Sequence, residues 1–66
     1  MTIGEKIKEL RQDKLWTRGQ LAYKVKAHEN SILLWETDKC EPTIHKCIAL
    51  ADVFGITLDE LCCRGD

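Results

Sequence analysis

One short pattern recurs three times in this chain and does most to decide its fold. Threonine followed three residues later by glutamate or glutamine occurs at Thr2–Glu5, Thr17–Gln20 and Thr57–Glu60. In such a capping box the threonine hydroxyl accepts from a free backbone N–H at a helix start, while the acid or amide reaches back to the threonine N–H. Three helix starts within 66 residues leave little chain for anything but helices. No run alternates apolar and polar residues long enough to make a strand. The expected class is all-α.

Apolar spacing supplies the faces. Ile3, Ile7 and Leu10 form one stripe on helix 1, and Leu21, Ala22 and Val25 face inward from a short helix 2. Pro42 ends whatever precedes it, and Thr43 caps a helix carrying Ile44, Cys47, Ile48, Ala51 and Phe54 on one side, stopped by Gly55. Leu58 and Leu61 face inward from helix 5. The remaining helix runs from about His28 to Thr37, with Ile32 and Trp35 buried. Two or three residues around Lys26–Ala27 separate helices 2 and 3, too few for an antiparallel pair. They must cross steeply, as in a helix-turn-helix.

Size and charge narrow the function classes. Residues 1–66 are read as a single domain, because so short a chain builds one core. Its 44% apolar residues come in short groups, with no run near the roughly 18 that a membrane helix needs, and the polar start lacks a signal-peptide core. A soluble, cytoplasmic protein is expected. Net charge is −1, divided as +4 over residues 1–26 and −5 over residues 27–66. That asymmetry suits one basic side facing phosphate, and it suits a solvated helix face almost as well.

Cys40, Cys47, Cys62 and Cys63 are spaced C-x6-C-x14-C-C, which matches no zinc ribbon or finger. A site from Cys40, His45 and Cys47 is disfavoured, so free thiols are expected and neither metal nor cofactor. Cys47 reads as a small core residue; Cys62 and Cys63, near the terminus, are open to an intermolecular disulfide. The closing Arg64-Gly65-Asp66 is read as chance. An enzyme is not expected, since no nucleophile has a base at useful spacing and no phosphate loop is present.

In order and spacing, "IGEKIKELR", "LAYKV", "SILLWE", the K-x-E-P of Lys39–Pro42 and "ALADVFGITLDEL" resemble the Cro/C1-type (XRE) helix-turn-helix family of phage and bacterial regulators. The resemblance covers Ile3 to Leu61. It implies a compact five-helix, lambda-repressor-like domain in which helix 3 enters the major groove of double-stranded DNA and helix 2 crosses the backbone above it. It also implies a homodimer, with helix 5 (Leu61, Cys62, Cys63) as the candidate dimer surface. Arg11 and Glu36 match positions where the family commonly places an ion pair; otherwise they are unrelated surface charges. Arg18 matches a position that contacts phosphate and braces helix 3, and Lys39 a backbone-contact position.

On a helical wheel with Ile32 and Trp35 inward, Asn30, Thr37 and Leu34 form the outward line, with Leu33 on its shoulder. Asn30 is the natural reader, since its amide pairs with adenine N6 and N7 together. Glu29 either accepts from a cytosine amino group or repels phosphate. His28 caps helix 3 or bonds to phosphate. For Arg18, Lys39, Glu29 and His28 the alternative is a solvated side chain. Leu34 has three readings: a thymine methyl contact, a docking contact to another protein, or an ordinary exposed leucine. Three departures from the family stand out. Lys26 and Asp38 replace expected glycines, and Gly19 weakens helix 2. The expected function is a sequence-specific DNA-binding transcriptional regulator, a repressor acting as a homodimer with no small-molecule effector evident. The alternative is a protein-interaction module docking through Leu33 and Leu34.

Overall fold

The computed structural model describes residues 1–62, which form five helices and no strand: α1 (Ile3–Asp13), α2 (Arg18–Val25), α3 (Glu29–Glu36), α4 (Ile44–Phe54) and α5 (Leu58–Leu61). Each starts where its sequence says. Thr2 and Thr17 close full capping boxes, with Glu5 N–H and Gln20 N–H donating to the threonine hydroxyls at 3.1 Å. Glu5 in turn accepts from Thr2 N–H at 2.9 Å, and that bond, then the one to the Thr2 hydroxyl, holds its carboxyl below the ordinary value. A lowered folded-state pKa means the contribution is present at neutral pH and fades as pH falls through it. The third box closes by half. Thr57 accepts from Glu60 N–H, but in this single-turn helix the Glu60 carboxylate stops at the threonine hydroxyl, 3.4 Å away.

The helix ends share one device, expected at Lys26, Asp38 and Gly55 but not at Leu15. α1 to α4 all finish in a left-handed residue: Leu15 at φ 62°, Lys26 at 57°, Asp38 at 61° and Gly55 at 72°. The next N–H then turns back five residues, from Trp16 to Arg11 O, Ala27 to Ala22 O, Lys39 to Leu34 O and Ile56 to Ala51 O. These are Schellman terminations, which glycine normally serves because a Cβ crowds the following carbonyl. Here one of the four is glycine. Leu15 is 89% exposed, so its side chain gives little back. Leu15→Gly is expected to stabilise the fold by about 1 kcal/mol. A urea midpoint that fails to rise, with the slope unchanged, would count against that strain.

Burial draws one side chain from every helix. Ile7, Leu21, Ile32, Leu50 and Leu61 are fully enclosed, surrounded by Ala22, Val25, Trp35, Cys47, Ala51 and Phe54. The expected inner face of α4 needs correction. Ile44 and Ile48 remain 62% and 44% exposed, and Leu50 is buried instead. The apolar arc of α4 is wider than its neighbours can cover, and they take the Cys47–Leu50–Phe54 side. Leu61 faces inward as expected and lies wholly inside its own core, which takes it out of the candidate dimer surface on helix 5. Cys62 is half-buried, while Cys63 and residues 64–66 lie outside the described residues. Among the described residues Cys40, Cys47 and Cys62 are free thiols; burial first, then nearby Cys62 and Glu41, push the Cys47 thiol up. No helix is long and apolar enough to cross a membrane among the described residues.

Two close approaches fix how the helices meet. Gly4, buried in the first turn of α1, lies against the end of α3: a Cβ there would collide with Trp35 O and fall 2.5 Å from Asp38 Oδ1. The Asp38 carboxylate also accepts from the Thr2 hydroxyl at 2.8 Å. Beside α2, Trp16 stacks on Phe54 with ring centres 5.8 Å apart, and Lys24 Nζ stands 4.7 Å over the indole.

Candidate nucleic-acid interface

Between α2 and α3 the chain turns through Lys26 and Ala27, and α3 emerges with its first residues free of the core. What holds this pair is a buried carboxylate. Glu36, with 1% of its side chain exposed, accepts from Arg11 Nε at 2.6 Å and Nη2 at 3.3 Å, and from Arg18 Nε at 3.0 Å. Arg11 Nη1 donates to Trp16 O at 2.7 Å. One acid therefore ties α1, α2 and α3 together, and two guanidiniums against it leave a local excess of positive charge.

The two arginines differ in what remains free. Arg11 is enclosed and directs its donors inward. Arg18 keeps 38% of its side chain exposed, and its Nη groups have no partner among the described residues. Its guanidinium plane is fixed at one end by Glu36 and open at the other. That geometry suits an anion approaching the start of α2, where unsatisfied N–H groups add their own positive potential.

On α3 and its C-terminal cap, Glu29, Asn30, Leu33 and Thr37 are exposed, whereas Ser31 and Leu34 are half-buried. The outward line is thus Asn30–Leu33–Thr37, and Leu33, at 39% exposure, takes the place the wheel gives to Leu34. Beyond α3 the chain folds back on this helix end, where Lys39 N–H and Cys40 N–H both close on Leu34 O. Arg18, Glu29, Asn30 and Leu33 line one shallow groove across both helices. The Glu29 carboxylate leans over the start of α2, since a Cβ on Gly19 would sit 3.6 Å from its Oε1. Gly19 leaves that space open.

The other expected residues are placed less simply. His28 occupies the capping position of α3 but makes no side-chain cap bond, because its ring is not the short acceptor such a position rewards. Thr37 turns its hydroxyl back on its own helix, donating to Leu33 O at 2.8 Å. Lys39 is exposed, and its ammonium has no partner among the described residues. Asp38, which the sequence sets near these cations, is held towards α1 by Thr2. The Arg18–Glu36 bond has no signal in the spacing of the sequence, which pairs Glu36 with Arg11.

Residues 7–61 match the Helix-turn-helix family. Over 61 residues the chain is 33% identical to the HTH-type transcriptional activator BcrR of Enterococcus faecalis, a match spanning 92% of this chain and 30% of that protein's length. Among solved structures it is similar to the P22 c2 repressor, crystallised with synthetic operator 9T in the presence of Tl+. There the TM-score is 0.92 at 26% identity, with 100% of this chain and 98% of that chain covered. With the family match running from α1 to the end of α5, the chain belongs to the Helix-turn-helix family.

Proposed function

We propose that this protein is a sequence-specific DNA-binding transcriptional regulator, acting in the cytoplasm as a homodimeric repressor that occludes promoter DNA. The observation that carries the reading is the groove in which Arg18, braced by Glu36, stands beside the exposed Asn30 and Leu33. In it α3 enters the major groove. Arg18 and Lys39 hold phosphates and set the register, with His28 and Thr37 as flanking backbone contacts. Asn30 reads adenine, Glu29 accepts from a cytosine amino group, and Leu33, with Leu34 at its margin, meets thymine methyls. Similarity to a repressor solved on its operator supports this assignment. The exposed Ile44 and Ile48 give two copies an apolar surface to share.

Binding to duplexes selected from a random pool, measured by fluorescence anisotropy across a salt series, tests the reading. Affinity is expected to fall steeply with salt. Arg18→Gln should weaken every sequence and reduce the salt slope by about one, whereas Asn30→Ala should cost about 1–3 kcal/mol and relax the preference for adenine at a single position. Unchanged sequence preference after Asn30→Ala would remove the assigned reader. Salt-independent capture of a protein through Leu33, with no duplex bound, would favour the docking module instead.

A further inference from the structure

α2 ends in a conformation that its own sequence resists. Lys26 holds φ 57° and ψ 48°, close to the φ 72° and ψ 34° that Gly55 adopts at the end of α4 without a Cβ to crowd. Helix ends of this kind gain from a cation near their last carbonyls. The basic residue in the last turn of α2 is Lys24, and its ammonium stands over the Trp16 ring. The cation comes from elsewhere. Lys46, in the first turn of α4, donates from Nζ to Val25 O at 3.1 Å and to Lys26 O at 2.8 Å.

These two oxygens are the ones that matter for the turn. The Val25 carbonyl belongs to the peptide plane before Lys26, whose orientation is set by φ of Lys26. The Lys26 carbonyl belongs to the plane after it, set by ψ. One ammonium gripping both oxygens therefore pins both dihedrals of the strained residue. α3 begins three residues later, at Glu29, so the direction in which Asn30 and Leu33 point depends on those two angles.

We propose that Lys46 is a positioning residue for nucleic-acid recognition, clamping the α2–α3 turn in its left-handed form and so aiming α3. This rests on the reading that α3 carries the side chains that meet bases. Lys46 itself touches no phosphate in this assignment, because its ammonium is committed to the Val25 and Lys26 carbonyls. That separates it from Arg18 and Lys39.

The test compares Lys46→Met, Lys46→Arg and the double variant Lys46→Met with Lys26→Gly, all at a temperature where circular dichroism shows each folded. The probes are a duplex selected by the unaltered protein and a mixed-sequence duplex of equal length. Lys46→Met should bind the selected duplex about tenfold more weakly, leaving the mixed duplex and the slope of log K against log salt unchanged. Lys46→Arg should retain most of the affinity. Lys26→Gly should restore most of it, since glycine adopts the turn without a clamp. Selected-duplex affinity within twofold of the original in Lys46→Met overturns the proposal. A shallower salt slope also overturns it, by making Lys46 a phosphate contact. Hydrogen exchange of the Ala27 amide, bonded to Ala22 O at 2.9 Å, reads the turn without DNA. If no duplex is bound by any form, the DNA reading fails on its own. In that case exchange that speeds about tenfold in Lys46→Met and slows again with Lys26→Gly still upholds the clamp, and unchanged exchange refutes it.

Discussion

Gly4→Ala is expected to destabilise this protein by about 3 kcal/mol or more, the reverse of what the substitution does in an open helix. Alanine normally favours a helix by up to about 1 kcal/mol over glycine. Here the added methyl meets Trp35 O, a backbone atom held in the last turn of α3, and Asp38 Oδ1 at 2.5 Å. The carboxylate can swing aside; the carbonyl cannot. Relief requires α1 to draw back from α3, which also strains the Thr2–Asp38 hydrogen bond. A chain of this length holds roughly 3–10 kcal/mol in total, so the substitution removes between a third and all of its stability. Gly19→Ala is the control. Its methyl meets Glu29 Oε1 at 3.6 Å, ordinary contact, and should leave stability equal or raise it. Urea unfolding followed by tryptophan fluorescence compares the two. Equal midpoints would mean that α1 and α3 do not approach this closely in solution.

Gly4 also shows where the sequence stops being legible. A glycine in the first turn of a helix reads as a weak spot, and nothing local says that another helix lies against it. Signals confined to one turn carry through well: Thr2 and Thr17 cap as their spacing requires, and Gly55 ends α4 in the left-handed form. Leu15 fails for the opposite reason. Its intrinsic preference opposes the left-handed turn that the packing of Trp16 on Phe54 accompanies. The site follows the same rule. Asn30 points outward as the wheel has it, but Leu33 and Leu34 exchange roles because a wheel assumes burial from one direction. Leu34 is half-buried although the wheel turns it outward. Ile44 and Ile48 carry the spacing of core residues, and nothing in that spacing says that no neighbour reaches them.

The other large effect is expected at Glu36. Replacing it with glutamine keeps the shape and removes the charge that two guanidiniums share. Arg11, 8% exposed, would be left buried with an uncompensated charge facing Arg18. Breaking one side of a buried ion pair costs about 3–5 kcal/mol, because the stranded charge cannot recover its water. For a domain of this size each kcal/mol moves Tm by about 4–8 °C, so Glu36→Gln should lower it by more than about 12 °C. The double replacement Arg11→Met with Glu36→Leu separates stability from binding. It removes acid and partner together, a change that is often near neutral in folding energy, although Trp16 O loses its donor from Arg11. Arg18 then stands on α2 without the carboxylate that braced it. The double variant should therefore melt well above Glu36→Gln yet bind all duplexes more weakly than the unaltered protein. If it regains both Tm and full affinity, Glu36 serves folding alone, and the groove does not depend on a braced Arg18.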